Sequence, residues 1–196
     1  ETDLTRSDSL VINVTAMGSL GGSGAPLTLD GARAGQKLVA HGKIGYSGAG
    51  LALLQRFGRA LPPELEELWP LIDAHCAPTL SPGRGVIARA TGSTAMTDNS
   101  DGLVRDVGHL AQRSGVRIDL DRAAIAPDPL LAAAGAVLDI DPWEWVLTGG
   151  EDHTLLATTY KAAPSGFREV GRVMRGTGVT ISGEEPRYRE GWEGFA

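Results

Sequence analysis

A single cysteine, Cys76, leaves no partner for an internal disulfide. That suits a reducing compartment, and the cytoplasm is the expected location. Cys76 sits at an apparent helix end, Asp73-Ala74-His75-Cys76-Ala77-Pro78, where it reads as a buried or bystander thiol. No apolar run approaches the roughly 20 residues that a membrane-spanning helix needs. The opening Glu1-Thr2-Asp3-Leu4-Thr5-Arg6 lacks the apolar core of a signal peptide. Basic residues are also short: 18 Lys and Arg against 24 Asp and Glu give a net charge of −6. A general nucleic-acid binder needs a basic face, so neither nucleic acid nor a membrane is an expected partner. A mildly acidic chain still binds phosphates where metal ions neutralise the charge between them.

Familiar motifs are missing as well. No Gly-x-x-x-x-Gly-Lys-Ser/Thr occurs, and the stretch from Gly31 to Lys37 has the wrong spacing. No Gly-x-Gly-x-x-Gly follows a strand, and there is no Gly-x-Ser-x-Gly elbow. His41, His75, His109 and His153 are scattered, and one cysteine cannot build a thiolate cluster for zinc. These absences argue against the common nucleotide-binding and hydrolase folds.

What is present is an ordinary globular composition, 42% hydrophobic and 21% charged, in 196 residues. That length holds one sizeable domain, or one domain and a piece of another. Ser9 to Met17 is rich in β-branched residues and predicts a strand, followed by a Gly-rich turn. Lys37–His41 predicts a second strand and Ser47–Phe57 a helix. Pro62 and Pro63 open another helix, with Glu64, Glu66 and Glu67 in its first turns. Gly85–Ala90 is a further helix, and Ser93–Thr97 a short strand. Leu103, Val107, Leu110 and Ala111 share one helix face, and Gly115 is placed to end that helix. Then come a strand at Val116–Leu120, a helix at Pro127–Leu138 and a short helix capped by Asp141-Pro142. Strands at His153–Thr159, Phe167–Val173 and Val179–Ser182 read as a closing meander. The pattern predicts an α+β fold: a mixed or antiparallel sheet with helices packed on one face. Trp143 and Trp145 read mainly as core anchors.

Two acidic turns are the candidates for chemistry. Asp98-Asn99-Ser100-Asp101-Gly102 lies between a strand end and a helix start. Its two carboxylates can converge on a hard cation such as Mg²⁺, and the helix start suits a phosphate. The plainer alternative is that Ser100 or Asp101 caps the helix. In Gly149-Gly150-Glu151-Asp152 the paired glycines allow either a close approach of backbone to a ligand or a tight surface turn.

Taken together, these segments resemble thiamine-monophosphate kinases. Thr94 to Leu103, with Asp106 and His109 after it, is similar to that family's Ala-Met-Ile-Asp-Val-Ser-Asp-Gly-Leu-x-x-Asp-Leu-x-His. Gly149 to Leu156 is similar to its Gly-Gly-Glu-Asp-Tyr/His-x-Leu-Leu. Val14 to Gly18, Gly31 to Gly35 and Gly45 to Leu51 resemble Val-Thr-Ala-Leu-Gly, Gly-Ala-Arg-x-Gly and Gly-Asp-Ser-Ala-Ala-Gly-Leu. The motifs stand in family order across nearly the whole chain. Departures are Leu29 in place of an Arg that contacts ATP, Tyr46 in place of an Asp, and Thr97 and Asn99 in place of apolar residues.

The resemblance implies the fold of the aminoimidazole ribonucleotide synthetase superfamily. Residues 1–30 would end an N-terminal ATP-binding domain, and 31–196 would form the C-terminal α+β domain. It implies phosphorylation of thiamine monophosphate to thiamine diphosphate with ATP as co-substrate and Mg²⁺, in a homodimer formed mostly through an upstream domain. By position, Asp98, Asp101 and Asp3 would be metal ligands and Ser100 an ATP contact. Glu151 and a C-terminal aromatic, Trp192 or Phe195, would touch the substrate. The acceptor phosphate is already ionised near neutral pH, so no catalytic base is expected. The chain reads as part of a longer enzyme, inactive alone. The rival expectations are a superfamily relative with another substrate, or a non-catalytic domain that kept the fold.

Overall fold

A computed structural model describes residues 14–21, 24–189 and 191. Six strands form one sheet: β1 Lys37–His41, β2 Ala95–Asn99, β3 Arg117–Leu120, β4 Thr154–Thr159, β5 Arg168–Met174 and β6 Gly178–Ile181. Their order is β2-β4-β1-β5-β3-β6. All neighbours are antiparallel except β3 and β6, which run parallel. The sheet is therefore mixed, as expected. The last three strands do not form a meander: β1 separates β4 from β5, and β3 separates β5 from β6. Turn signals mark where a strand ends, but not which neighbour it will find.

The helices are α1 Tyr46–Phe57, α2 Trp69–Cys76, α3 Arg84–Ala90, α4 Leu103–Ser114, α5 Pro129–Leu138 and α6 Pro142–Thr148, with a 3₁₀ turn at Pro63–Leu68 leading into α2. Local chemistry explains several of them. Asp128 caps α5 by accepting from the N–H groups of Leu130 and Leu131, and Asp141 caps α6 through that of Trp143. The next residue in each case is proline, which fits the first helical turn. Gly115 closes α4 in the left-handed conformation at φ 66°.

The main core lies between the sheet and α1, α2, α4, α5 and α6. Leu38 and Leu156 from the sheet meet Leu53, Leu71, Leu103 and Leu110 from the helices, all fully buried. Strand alternation turns Val39 and Ala157 to the opposite face, where Ala88 of α3 and Phe167 cover them. Trp145 is buried in the main core and Trp143 packs at its edge. His109 and Cys76 are exposed, so neither serves the interior. Of the strand expected at Ser9 to Met17, residues 9–13 lie outside the described residues. Residues 14–17 form no strand, and Val14 and Met17 are exposed. Leu29 is partly buried and packs against the main core.

A buried carboxylate holds the far edge of the sheet. Asp119 on β3 accepts from Thr180 Oγ1 at 2.7 Å, the Gly183 N–H at 2.8 Å and Arg172 at 3.0 Å. These groups tie β5, β6 and the turn after β6 to β3. Burial pushes the Asp119 carboxyl up, but its hydrogen bonds and the Arg172 charge together bring it below the usual carboxylate range. The folded state thus binds this proton more weakly than the unfolded chain. The resulting stabilisation is present above the ordinary value of 3.8 and is lost as pH falls below it. Asp119→Asn should therefore cost about 1–3 kcal/mol at pH 7. Urea titrations across pH should show the gap between wild type and variant narrowing below pH 4 or so.

Candidate functional site

The two acidic turns meet because β2 and β4 pair antiparallel. The end of one strand then lies beside the start of the other, with Asp98 opposite Leu155 and Asn99 opposite Thr154. The loop leaving β2 and the turn entering β4 share one end of the sheet. Backbone bonds lock them together: the Glu151 N–H donates to Ser100 O at 2.8 Å, and the His153 N–H to Asn99 O at 2.9 Å. A Cβ on Gly150 would collide with Ser100 O, so only glycine permits this approach. The paired glycines thus serve packing within the protein: Gly150 lies against Ser100 of the other turn, and Gly149 against Trp145 O of the helix before it.

The turn is built with strain. Glu151 and His153 both occupy the left-handed region, at φ 63° and 51°. Such positions cost on the order of 1 kcal/mol or more and persist where the surroundings enforce them. Here they send the two side chains to one side. The His153 ring stands between Asp98 and Glu151, 3.4 Å from a carboxylate oxygen of each. Sequence reasoning assigned His153 no role. Its only signal was the place it holds in the Gly-Gly-Glu-Asp-Tyr/His pattern.

Asp152 points the other way, into the protein. It accepts from the N–H groups of Gly45 at 2.6 Å and Ser47 at 2.8 Å, at the start of α1. The Asn99 side chain adds a third bond at 3.2 Å. Asn99 is fully buried, and this polar partner gives a reason for Asn at a position where apolar residues were expected. Burial pushes the Asp152 carboxyl up to about 6, and the N–H donors only partly oppose it.

On the other turn, neither Ser100 nor Asp101 caps α4, because no side chain caps its N-terminus at Gly102. Instead Asp106, inside the first turns of α4, reaches back. One of its oxygens accepts from the Ser100 N–H at 3.0 Å and the Asp101 N–H at 2.9 Å. These two N–H groups are consequently engaged, and a phosphate at this helix start would need other donors. Ser100 Oγ lies 3.5 Å from Asp98.

The acidic side chains around this loop lie close enough to feel one another's charge. Burial raises the Asp106 carboxyl above its ordinary range, and the nearby charges of Asp101 and Asp98 raise it further. Asp98 and Asp101 offer hard oxygen donors suited to Mg²⁺. Among the described residues no group of three or more His, Cys, Asp or Glu is placed to hold a metal, so the pair would be completed from elsewhere. Asp3, Trp192 and Phe195 lie outside the described residues. Gly191 is described, and a side chain there would collide with Asp101 O and press on Arg105, so the chain passes over this turn just before Trp192.

Beside Asp152 and His153 opens a cavity of about 620 Å³, walled by α1, α2, the loop to α3 and the end of β1. Its cationic side chains have partners inside the protein. Lys43 pairs with Asp128 at 3.8 Å, and Arg84 donates to Ser165 O at 2.9 Å. Tyr46, where an Asp was expected, donates its hydroxyl to Asp128 and so ties α1 to the cap of α5.

No family model matches the chain. It is similar to the thiamine-monophosphate kinase of Corynebacterium glutamicum, 59% identical over 98% of this chain and 59% of that protein. It is also similar to that of Mycobacterium tuberculosis, 43% identical over 98% of this chain and 56% of that one. Among solved structures, AaThiL complexed with AMPPCP and TMP superposes with a TM-score of 0.76 and 35% identity, over 86% of this chain and 54% of that one. A hydrogenase maturation protein HypE, at 16% identity and a TM-score of 0.58, shares the fold. The chain spans a little over half the length of these relatives.

Asp152→Ala would leave at least two buried N–H groups without an acceptor, and should cost about 2 kcal/mol or more. Asp152→Asn keeps one acceptor oxygen and should cost less. Urea unfolding with an unchanged m-value checks both.

Proposed function

From the similarity to thiamine-monophosphate kinases, we propose that this chain is the acceptor-side part of a longer enzyme. That enzyme transfers the terminal phosphoryl group of ATP to thiamine monophosphate, giving ADP and thiamine diphosphate. Residues 1–30 would end its ATP-binding domain and 31–196 form the α+β domain. Dimerisation would run through the upstream domain, in the cytoplasm. The observation that carries the reading is the locking of the two motif turns at one sheet end, through Glu151 to Ser100 and His153 to Asn99. Two sequence signatures 50 residues apart have one use there.

The roles follow from charge. Two anions must approach in line, and repulsion between them is the main obstacle. Mg²⁺ held by Asp98, Asp101 and Asp3 would neutralise charge on the phosphates. Ser100 would contact ATP from the same loop. Glu151 would accept from the amine of the substrate's pyrimidine, and Trp192 or Phe195 would cover a ring, where a thiazolium gains from an aromatic face. The acceptor oxygen is already ionised near pH 7, so transfer is direct and needs no base.

The test is thiamine diphosphate formation by the full-length protein from ATP, Mg²⁺ and thiamine monophosphate. Asp101→Asn should lower turnover about a hundredfold or more, equivalent to about 2.7 kcal/mol of barrier. Near-wild-type turnover in that variant would remove Asp101 from the metal site. A phosphorylated protein trapped during turnover would rule out direct transfer.

A further inference from the structure

We propose that Asp106 is a positioning residue: its carboxylate sets the spacing of Asp98 and Asp101 by clamping the loop between them. This rests on the metal role given above to those two residues.

The loop is pinned on both sides. Its N–H groups at Ser100 and Asp101 point to one oxygen of Asp106, at 3.0 and 2.9 Å. Its carbonyls at Asn99 and Ser100 receive the His153 and Glu151 N–H groups, at 2.9 and 2.8 Å. The peptides on both sides of Ser100 are therefore fixed, and so is the direction in which the Asp101 side chain leaves the backbone. Asp106 can hold this position because it is itself immobile. It is 5% exposed, and the helix that carries it is anchored by Leu103, Val107, Leu110 and Ala111, all fully buried. Its own N–H closes the first helical turn on Gly102 O at 2.9 Å.

Gly102, the residue at the helix start, has no side chain to cap with, so the loop has no local clamp of the usual kind. Asp106 supplies one from inside the helix. A metal site tolerates displacements of roughly 0.5 Å in its ligands, so loss of the clamp should register in cation affinity. An Asn at this position can still present one acceptor oxygen to both N–H groups, whereas an Ala cannot.

The experiment uses the full-length protein with Mn²⁺ as the probe, followed by electron paramagnetic resonance in the presence of the non-hydrolysable analogue AMPPCP. Asp106→Asn should bind Mn²⁺ within about threefold of wild type, and Asp106→Ala at least about tenfold more weakly, the range seen when supporting partners of metal ligands are removed. In the kinase assay Asp106→Ala should lower kcat and raise the Mg²⁺ needed for half-maximal rate, with the KM for thiamine monophosphate little changed. Ile118→Val, a core truncation on β3, serves as a control that lowers stability without touching the loop and should leave Mn²⁺ binding unchanged. Wild-type Mn²⁺ affinity in Asp106→Ala would overturn the proposal. So would equal losses in the Ala and Asn variants, which would make Asp106 a direct ligand. If wild type binds Mn²⁺ but forms no thiamine diphosphate, the substrate assignment falls while the binding series still decides on Asp106. If wild type binds no Mn²⁺ with nucleotide, both readings fall.

Discussion

Asp152 is a carboxylate with its charge turned into the protein, and three parts of the chain are arranged around it. The start of α1 supplies the N–H groups of Gly45 and Ser47, and the end of β2 supplies Asn99. The third part is its own turn, whose neighbours Glu151 and His153 are forced into the left-handed region. A buried charge is costly unless several donors face it, which is why its carboxyl is pushed up to about 6 even with those donors present. That cost has a structural return. An acceptor buried here is satisfied only when α1, β2 and the turn before β4 sit in one arrangement, so a poorly placed turn is disfavoured by the orphaned donors it leaves. The strain at Glu151 and His153 persists for the same reason.

The two turns thus use their acidic residues in opposite ways. Asp106 and Asp152 face inward and accept hydrogen bonds from backbone N–H groups. Asp98 and Glu151 face the other way, with the His153 ring between them. In each turn an inward carboxylate holds the backbone from which an outward one projects. This division gives the acids of these segments two separate tasks. It also separates two kinds of substitution by their expected consequence. Loss of an inward residue acts first on stability or geometry, and loss of an outward one acts on whatever the site binds.

Much of this was legible in the sequence, for local reasons. The Asp128-Pro129 and Asp141-Pro142 pairs signal helix starts through capping chemistry that depends on only a few residues. The apolar stripe of α4 and its stop at Gly115 depend only on helical periodicity. The resemblance carried by the motifs pointed to a fold, and the similarity to solved structures agrees with it. What was not legible depends on distant pairing. The parallel union of β3 with β6 is held by Asp119, whose partners lie 53 to 64 residues away. A buried Asp in a short strand has no signature apart from those partners. Asn99 stood out as a departure, and only the position of Asp152 across the sheet supplies its reason. The same holds for Asp106, which matched a motif without disclosing its task.

Pairing geometry then explains how signatures far apart in sequence meet. A strand ending in an acidic loop and a strand beginning from an acidic turn come together only if the two run antiparallel and adjacent. Between β2 and β4 the chain must first complete α4, β3, α5 and α6. Of these, α4 carries Asp106 and the core residues that bury it, while Asp152 at the end of the run takes its N–H donors from α1. The intervening residues are therefore more than a connection: α4 holds one clamp, and α6 leads directly into the turn that holds the other. The outward groups project from backbone that Asp106 and Asp152 help to fix, and the reading of this sheet end as a site for phosphates and a cation depends on that fixation.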